Sequence, residues 1–212
     1  MNSKSFFITF EGPEGSGKST QARWVVQRLR RAGRRVLFLH DPGSTALGRA
    51  LRRALLHTTT PLSPMAEGLL FIGGRVQLVE ERIKPALAQG RVVVCDRFHD
   101  STVAYQGFGG ELDVSWLDRL GRAAIRNIMP DLTLLLDVPT TLGFSRLHRT
   151  HDRMERKALA FHRRVRRGYL QLAKRNPLRF VTIDAAQPPQ VVRRQIEAII
   201  MQRLMGMLKV EC

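Results

Sequence analysis

Five short apolar runs punctuate the chain, and the segments between them carry apolar residues at helical spacing. Residues 6–11 are aromatic and β-branched with no polar alternation, the pattern of a strand covered on both faces. Residues 36–39, 92–95, 132–136 and 180–184 repeat it. Between them, Ala22, Val25, Val26 and Leu29 mark one stripe of a helix from 19 to about 31, with Gly33 as its stop. Leu47, Leu51 and Leu55 share one side of a second helix. The pattern is helical again from 64 to about 89. The Gly73-Gly74 pair predicts an interruption there, since each glycine costs about 1 kcal/mol relative to alanine inside a helix. Residues 112–127 read as a helix, and Pro139 opens another. An Arg/His-rich stretch over 146–156 breaks the apolar pattern before a long amphipathic helix to about 175, and a last helix runs from about 189 towards 207.

Strands alternating with helices predict an α/β protein, a five-stranded parallel sheet flanked by helices on both faces. Crossovers are expected to be right-handed, with the ligand crevice at the carboxyl ends of the strands. The loop at 12–19, Asp41-Pro42, Asp96-Arg97 and Asp137 each follow a strand and are expected to converge on that edge. There is no internal repeat, low-complexity tract or linker, so residues 1–212 read as one domain.

The loop after the first strand narrows the chemistry. Gly12, Pro13, Glu14, Gly15, Ser16, Gly17, Lys18 and Ser19 follow the spacing G-x-x-x-x-G-K-[ST], and Thr20 continues into the helix. Glycines let successive N–H groups curl around a phosphate chain, and the helix adds its positive end to the same anion. Lys18 supplies a mobile cation, and the Ser19 hydroxyl can ligate Mg²⁺. Asp96 ends a buried strand, where an enzyme with this loop needs a carboxylate for Mg²⁺, and Arg97 beside it can clamp a second phosphate. The expected ligand is a nucleoside triphosphate with Mg²⁺.

Composition adds one unusual feature, a formal net charge of +17 beside ordinary apolar (43%) and charged (25%) content. Such a charge suits nucleic acid, a membrane surface or a multiply anionic substrate. Much of the arginine falls at helical spacings, as in Arg28, Arg30 and Arg31 or Arg163, Arg164, Arg166 and Arg167, where a solvated face is the simpler account. The two cysteines, Cys95 in an apolar run and Cys212 at the end, indicate no disulfide framework. No N-terminal signal pattern and no apolar stretch near twenty residues occur, so a cytoplasmic setting is expected by default.

Taken together, the motifs resemble a family. Phe7 to Thr20, the run Leu70-Phe71-Ile72-Gly73-Gly74-Arg75-Val76-Gln77, Asp96-Arg97-Phe98, and Ser101-Thr102-Val103-Ala104-Tyr105-Gln106-Gly107 occur in the order found in thymidylate kinases. Asp152-Arg153-Met154-Glu155, with Phe161 and the stretch from Val165 to Tyr169 and Leu170, is similar to that family's lid and following helix. The resemblance spans about residues 5–200, and the Tyr105-Gln106-Gly107 block is its most specific part.

The resemblance implies transfer of the ATP γ-phosphoryl group to dTMP. It also implies particular roles. Phe71 and Arg75, four apart on a helix, would stack on thymine and donate to its 4-oxo group. Tyr105 would lie against the sugar and exclude a 2′-hydroxyl, with Thr102, Gln106 and Asp41 adding polar contacts. Arg97 would hold the acceptor phosphate, and Glu14 would meet the acceptor's sugar or phosphate. Family members with an arginine inside the loop use it on the migrating phosphoryl group. Gly15 stands there in this chain, which passes that role to the lid, where Arg153 matches the family best, then Arg149, with Arg146 also a candidate. A homodimer is implied too. His40-Asp41-Pro42-Gly43-Ser44-Thr45 departs from the family's Arg-Glu-Pro-Gly-Gly-Thr and loses a cation. Another nucleoside monophosphate kinase, a deoxynucleoside kinase, and a non-catalytic nucleic-acid-binding protein are the alternatives.

Overall fold

A computed structural model of the chain describes residues 5–147 and 152–208, with side chains through Leu204. Five strands, β1 (Phe6–Glu11), β2 (Val36–His40), β3 (Val92–Asp96), β4 (Leu132–Asp137) and β5 (Phe180–Asp184), form one sheet in the order β2-β3-β1-β4-β5, with every pairing parallel. From β1 the chain moves first to one side of the sheet and later to the other, which leaves a crevice at the carboxyl end of β1. The register brings the strand ends level there. Phe10 and His40 both lie opposite Asp96, and Glu11 lies opposite Leu135.

The lack of alternation in the strands has a direct cause. Phe6, Ile8 and Phe10 face a core shared with α1 (Lys18–Arg31) and α9 (Pro189–Leu208), through Ala22, Val25, Val26 and Leu29 and through Val192, Ile196 and Ile200. Phe7 faces the other way, into a core with Leu39, Val93, Cys95, Leu78 and Ile83. Beyond it, Leu135 meets Phe161, Val165, Tyr169 and Leu172 of α8 (Leu159–Arg175). Each large apolar side chain contributes roughly 1.5–3 kcal/mol by leaving water, so every position of β1 can be filled usefully from one side or the other. Thr9 and Glu11 are the buried polar exceptions.

The remaining helices are α2 (Ala46–His57), α3 (Pro64–Leu78), α4 (Lys84–Ala88), α5 (His99–Thr102), α6 (Val114–Ala124) and α7 (Thr140–Ser145). The expected break at Gly73-Gly74 does not occur; α3 runs through both. Gly74 instead admits α2, since a Cβ there would lie 3.0 Å from Leu51 Cδ1. The irregularity comes later, as wide π turns over Val79–Ile83. Pro85 follows them and has no N–H for the carbonyl of Glu81 four residues back. A second wide-turn segment, Val103–Gly109, extends α5 where no helix was expected. Its apolar positions make no stripe because several turns are of the wrong width. The helix expected over 112–127 is shorter. Asp113 caps α6 by accepting Trp116 N–H at 2.9 Å, and Arg126 and Asn127 leave helical geometry at positive φ.

Candidate active site

The loop between β1 and α1 wraps as its spacing requires. Gly15 has φ +69, and a Cβ on it would fall 1.8 Å from the carbonyl oxygen of Gly143 in α7. No side chain fits, which explains why this chain carries no arginine at that position. Lys18 opens α1 and bends back, its Nζ donating to Pro13 O at 2.7 Å and to Ser16 Oγ at 3.2 Å. Burial, then the Arg97 charge, lowers its ammonium to about 8 against the pull of Glu14 and Asp96. The loop cation is therefore buried, held by one carbonyl and one hydroxyl of its own loop.

Ser19 Oγ donates to Asp96 Oδ2 at 2.5 Å, while Asp96 Oδ1 is buried with no partner. Burial would raise this carboxyl, but hydrogen bonding and charge from His40, then Lys18 and Ser19, hold it at about 2. A hydroxyl paired with an ionised carboxylate that keeps one oxygen unused fits a hard divalent cation such as Mg²⁺. Among the described residues no group of three or more His, Cys, Asp or Glu is arranged around a metal, so such an ion would take most of its oxygens from phosphate and water.

Arg97 follows Asp96 with φ 68. Its NH2 donates to Glu14 Oε1 at 2.8 Å and to Tyr105 Oη at 3.1 Å, and Tyr105 Oη donates to the same Glu14 oxygen at 2.5 Å. Its Cζ lies 4.9 Å from the centre of the Tyr105 ring. Burial works against ionisation of Glu14, yet Arg97, Lys18 and the Tyr105 hydroxyl together bring its carboxyl down to about 2. Glu14, Arg97 and Tyr105 thus form one charged cluster at the mouth of the loop.

A second cluster sits below His40. Arg75 is 2% exposed; its Nε donates to Asp41 Oδ2 at 2.6 Å and its NH2 to Thr102 Oγ1 at 2.9 Å. Arg75 NH1 and Asp41 Oδ1 have no partner. Phe71, one turn earlier on α3, is half-buried beside them. Gln106 Nε2 donates to Glu67 Oε2 at 3.2 Å.

Both clusters open on one cavity of about 650 Å³. Glu14 to Thr20 line it with Asp41, Phe71, Arg75, Asp96, Arg97, Thr102, Tyr105 and Gln106. Gly12 and Pro13 do not line it. Asp137 does not join them; Arg166 grips it with two bonds of 2.8 Å, on the α8 side of the β4 end.

The lid departs from expectation. Arg153 does not border the cavity. Its NH1 lies 2.6 Å from Glu67 Oε1, its Nε donates to Leu55 O at 2.7 Å, and its backbone N–H bonds Leu56 O. Lys157 reaches the same Glu67 carboxylate at 3.1 Å. Glu67 is fully buried on α3, and a buried carboxylate attracts whichever cations the chain can deliver. Arg146 does border the cavity, held by Ala185 O at 2.7 Å and Ala186 O at 3.1 Å. Arg149 lies outside the described residues.

Sequence reasoning missed three participants. Arg52 of α2 borders the cavity, bonds the His40 ring and donates to Pro42 O at 3.2 Å. It returns a cation to the region where His40 replaces one. Its sequence signal was its place on the polar side of the Leu47-Leu51-Leu55 stripe. Glu11 and Tyr169 are buried behind Arg97 and looked like strand and helix core. Ala185, Gln187, Pro189 and Val192 wall the opposite end of the cavity.

The family model for thymidylate kinase matches residues 10–196 of this chain. The chain belongs to the thymidylate kinase family. Relatives named thymidylate kinase include one from Thermomicrobium roseum, 47% identical over an alignment of 199 residues, with 92% of this chain and 94% of the relative covered. Another, from Deinococcus radiodurans, is 42% identical and covers 95% of this chain and 98% of its own. The crystal structure of thymidylate kinase from Ehrlichia chaffeensis superposes with a TM-score of 0.76 at 34% identity, covering 92% of this chain and 98% of that one. The family's arrangement, a parallel sheet with a P-loop at its central strand, is the arrangement described above.

Proposed function

We infer that the protein transfers the γ-phosphoryl group of ATP to dTMP, giving ADP and dTDP for dTTP synthesis. The observation that carries this reading is one cavity lined both by the phosphate loop and by Phe71, Arg75 and Tyr105. A donor and an acceptor nucleotide held there meet phosphate to phosphate.

The chemistry needs positioning and charge rather than a covalent intermediate. The N–H groups of residues 13–18 and the Lys18 ammonium hold the ATP phosphates, and the end walled by Pro189 and Val192 is left for the purine. Ser19 and Asp96 would hold Mg²⁺, which when bound screens the charge of the β- and γ-oxygens. Phe71 offers a plane for the thymine ring. Arg75 NH1, buried and unpaired, offers a donor for its 4-oxo group. Cytosine would set an amino group against that donor and leave both unsatisfied, a cost of about 1–3 kcal/mol. The Tyr105 ring closes the space beside the sugar, and its hydroxyl, fixed by Glu14, cannot turn aside for a 2′-hydroxyl. Arg97 meets the dTMP phosphate. Arg146, and Arg149 beside it in sequence, are the lid cations for the migrating charge, and closure of the lid excludes water.

Mg²⁺ as the accompanying ion, a cytoplasmic setting and a homodimer complete the reading. Among the described residues no helix is long and apolar enough to cross a membrane. Met65 and Leu69, four apart on α3, are exposed apolar side chains that a second copy could cover.

The test is ADP release from Mg·ATP with dTMP, dUMP, UMP, CMP, AMP and thymidine in turn. Turnover strongest with dTMP and weak with UMP is expected. Preference for thymidine or for another monophosphate would overturn the acceptor assignment.

A further inference from the structure

Glu11 lies at the carboxyl end of β1, outside the cavity, and is fully buried. Its Oε1 accepts the N–H of Phe98 at 2.7 Å, and its Oε2 accepts the hydroxyls of Ser101 at 2.6 Å and Tyr169 at 2.9 Å. Those two hydroxyl oxygens are 2.8 Å apart. Arg97 NH1 lies 3.3 Å from each of them.

The direction of these bonds follows from donor chemistry. An ionised carboxylate has acceptors only, and a guanidinium has donors only. Above about pH 7, where its carboxyl is mostly ionised, Glu11 therefore draws the O–H bonds of the pair towards itself, and lone pairs of the hydroxyl oxygens are left facing NH1. On the other edge of the guanidinium, NH2 is held by Glu14 and Tyr105. The Phe98 N–H bond adds a hold on the residue directly after Arg97, whose φ of 68 is one that an arginine keeps only where its surroundings fix it.

Resting on the reading that Arg97 grips the dTMP phosphate, we propose that Glu11 is the positioning residue for Arg97. Its carboxylate fixes the turn after β3 and orients the Ser101–Tyr169 hydroxyl pair, so that the guanidinium is aimed at the acceptor before dTMP arrives. Glu11 itself touches neither substrate. Its surroundings explain why a simple packing role accounts for it poorly. Burial, then the charge of neighbouring Asp100, pushes its carboxyl up to about 7, against the Ser101 bond, the Arg97 charge and the Phe98 N–H. Asp100 is itself bound by Arg179 at 2.6 and 2.9 Å. An apolar residue would fill this place without opposing so much desolvation.

Calorimetric titration of dTMP at pH 8, where Glu11 is mostly ionised, in a double-mutant cycle tests the proposal. In Glu11→Gln the amide NH2 becomes a donor towards the hydroxyl pair, so one hydroxyl turns its hydrogen away and Arg97 loses an acceptor. The dTMP dissociation constant is expected to rise about tenfold, the value of one charge-assisted bond. That for ATP should stay within roughly twofold, because the loop contacts are untouched. In an Arg97→Ala background the same Glu11→Gln change should alter dTMP binding by less than about twofold, since coupled residues are not additive. A purely structural role would weaken dTMP binding equally in both backgrounds, and that result would overturn the proposal. Tyr169→Phe keeps the carboxylate and removes one hydroxyl. It should show a smaller loss, likewise absent without Arg97, and decides the matter alone where Glu11→Gln does not fold. A wild-type protein that binds no dTMP would overturn the substrate reading and this proposal with it. Additive losses in a protein that binds dTMP would overturn the proposal alone.

Discussion

Arg75 and Asp41 face each other at 2.6 Å, both almost wholly buried, and each keeps one polar atom unused, NH1 on the arginine and Oδ1 on the aspartate. Unsatisfied buried groups are costly, and here two belong to side chains that line a nucleotide-sized cavity. On the function proposed above, they are the partners of the acceptor base.

Arg75→Gln should lower kcat/KM for dTMP by about ten- to a hundredfold, the range expected for a hydrogen bond to a charged donor. The glutamine carbonyl can accept from an amino group, so the relative rate with dCMP should rise. Steady-state kinetics with both acceptors check this. Unchanged dTMP kinetics would mean that Arg75 serves only to hold Asp41.

The buried Lys18 ammonium gives ATP binding a pH dependence. Its value in the free protein is lowered to about 8, and anionic phosphates must raise it again. Below pH 8 the lysine is already charged and ATP affinity should be level. Above pH 8 each binding event must take up a proton, and affinity should fall by up to roughly tenfold per unit. Titration of ATP from pH 7 to 9.5, in buffers of different ionisation enthalpy, should show both effects. A flat profile would place the Lys18 ammonium outside the phosphate contacts.

How far the fold could be read from the chain depended on whether a residue's role was local. The five strands and the phosphate loop were legible because their signals are contiguous, a doubly buried apolar run and a fixed glycine spacing. The Val103–Gly109 segment was not, because π turns break the helical period on which such reading depends. Phe71, Arg75, Arg97 and Tyr105, singled out by the family pattern, were found lining one cavity. Arg153 was not, since its engagement is set by Glu67, 86 positions earlier. Nothing near Arg153 in sequence announces that partner. Arg52 escaped notice for the same reason, its neighbour His40 being an unusual residue on another element.

Arg153→Ala should act first on stability. It removes one of the two cations on fully buried Glu67, at a cost of about 3 kcal/mol, while Lys157 remains. Urea denaturation should show that loss, and kcat at saturating substrate should fall less than about tenfold. A hundredfold fall in kcat with unchanged stability would show instead that Arg153 leaves Glu67 during turnover and serves the phosphoryl group.

Gly15→Arg should abolish ATP binding rather than move the catalytic cation into the loop. The contact of 1.8 Å to Gly143 O and the φ of +69 leave no place for a side chain. Fluorescent nucleotide titration of the folded variant reads this directly. Retained affinity would mean that α7 can withdraw from the loop at little cost.

The central claim is phosphoryl transfer to dTMP at the cavity shared by the loop and Arg75. Phosphorus-31 NMR of Mg·ATP, dTMP and catalytic protein tests it most directly, because donor and acceptor are followed together. The expected result is dTDP and ADP rising in equal amounts with no free phosphate. Free phosphate accumulating without dTDP, or ATP unchanged beside dTMP, would contradict it.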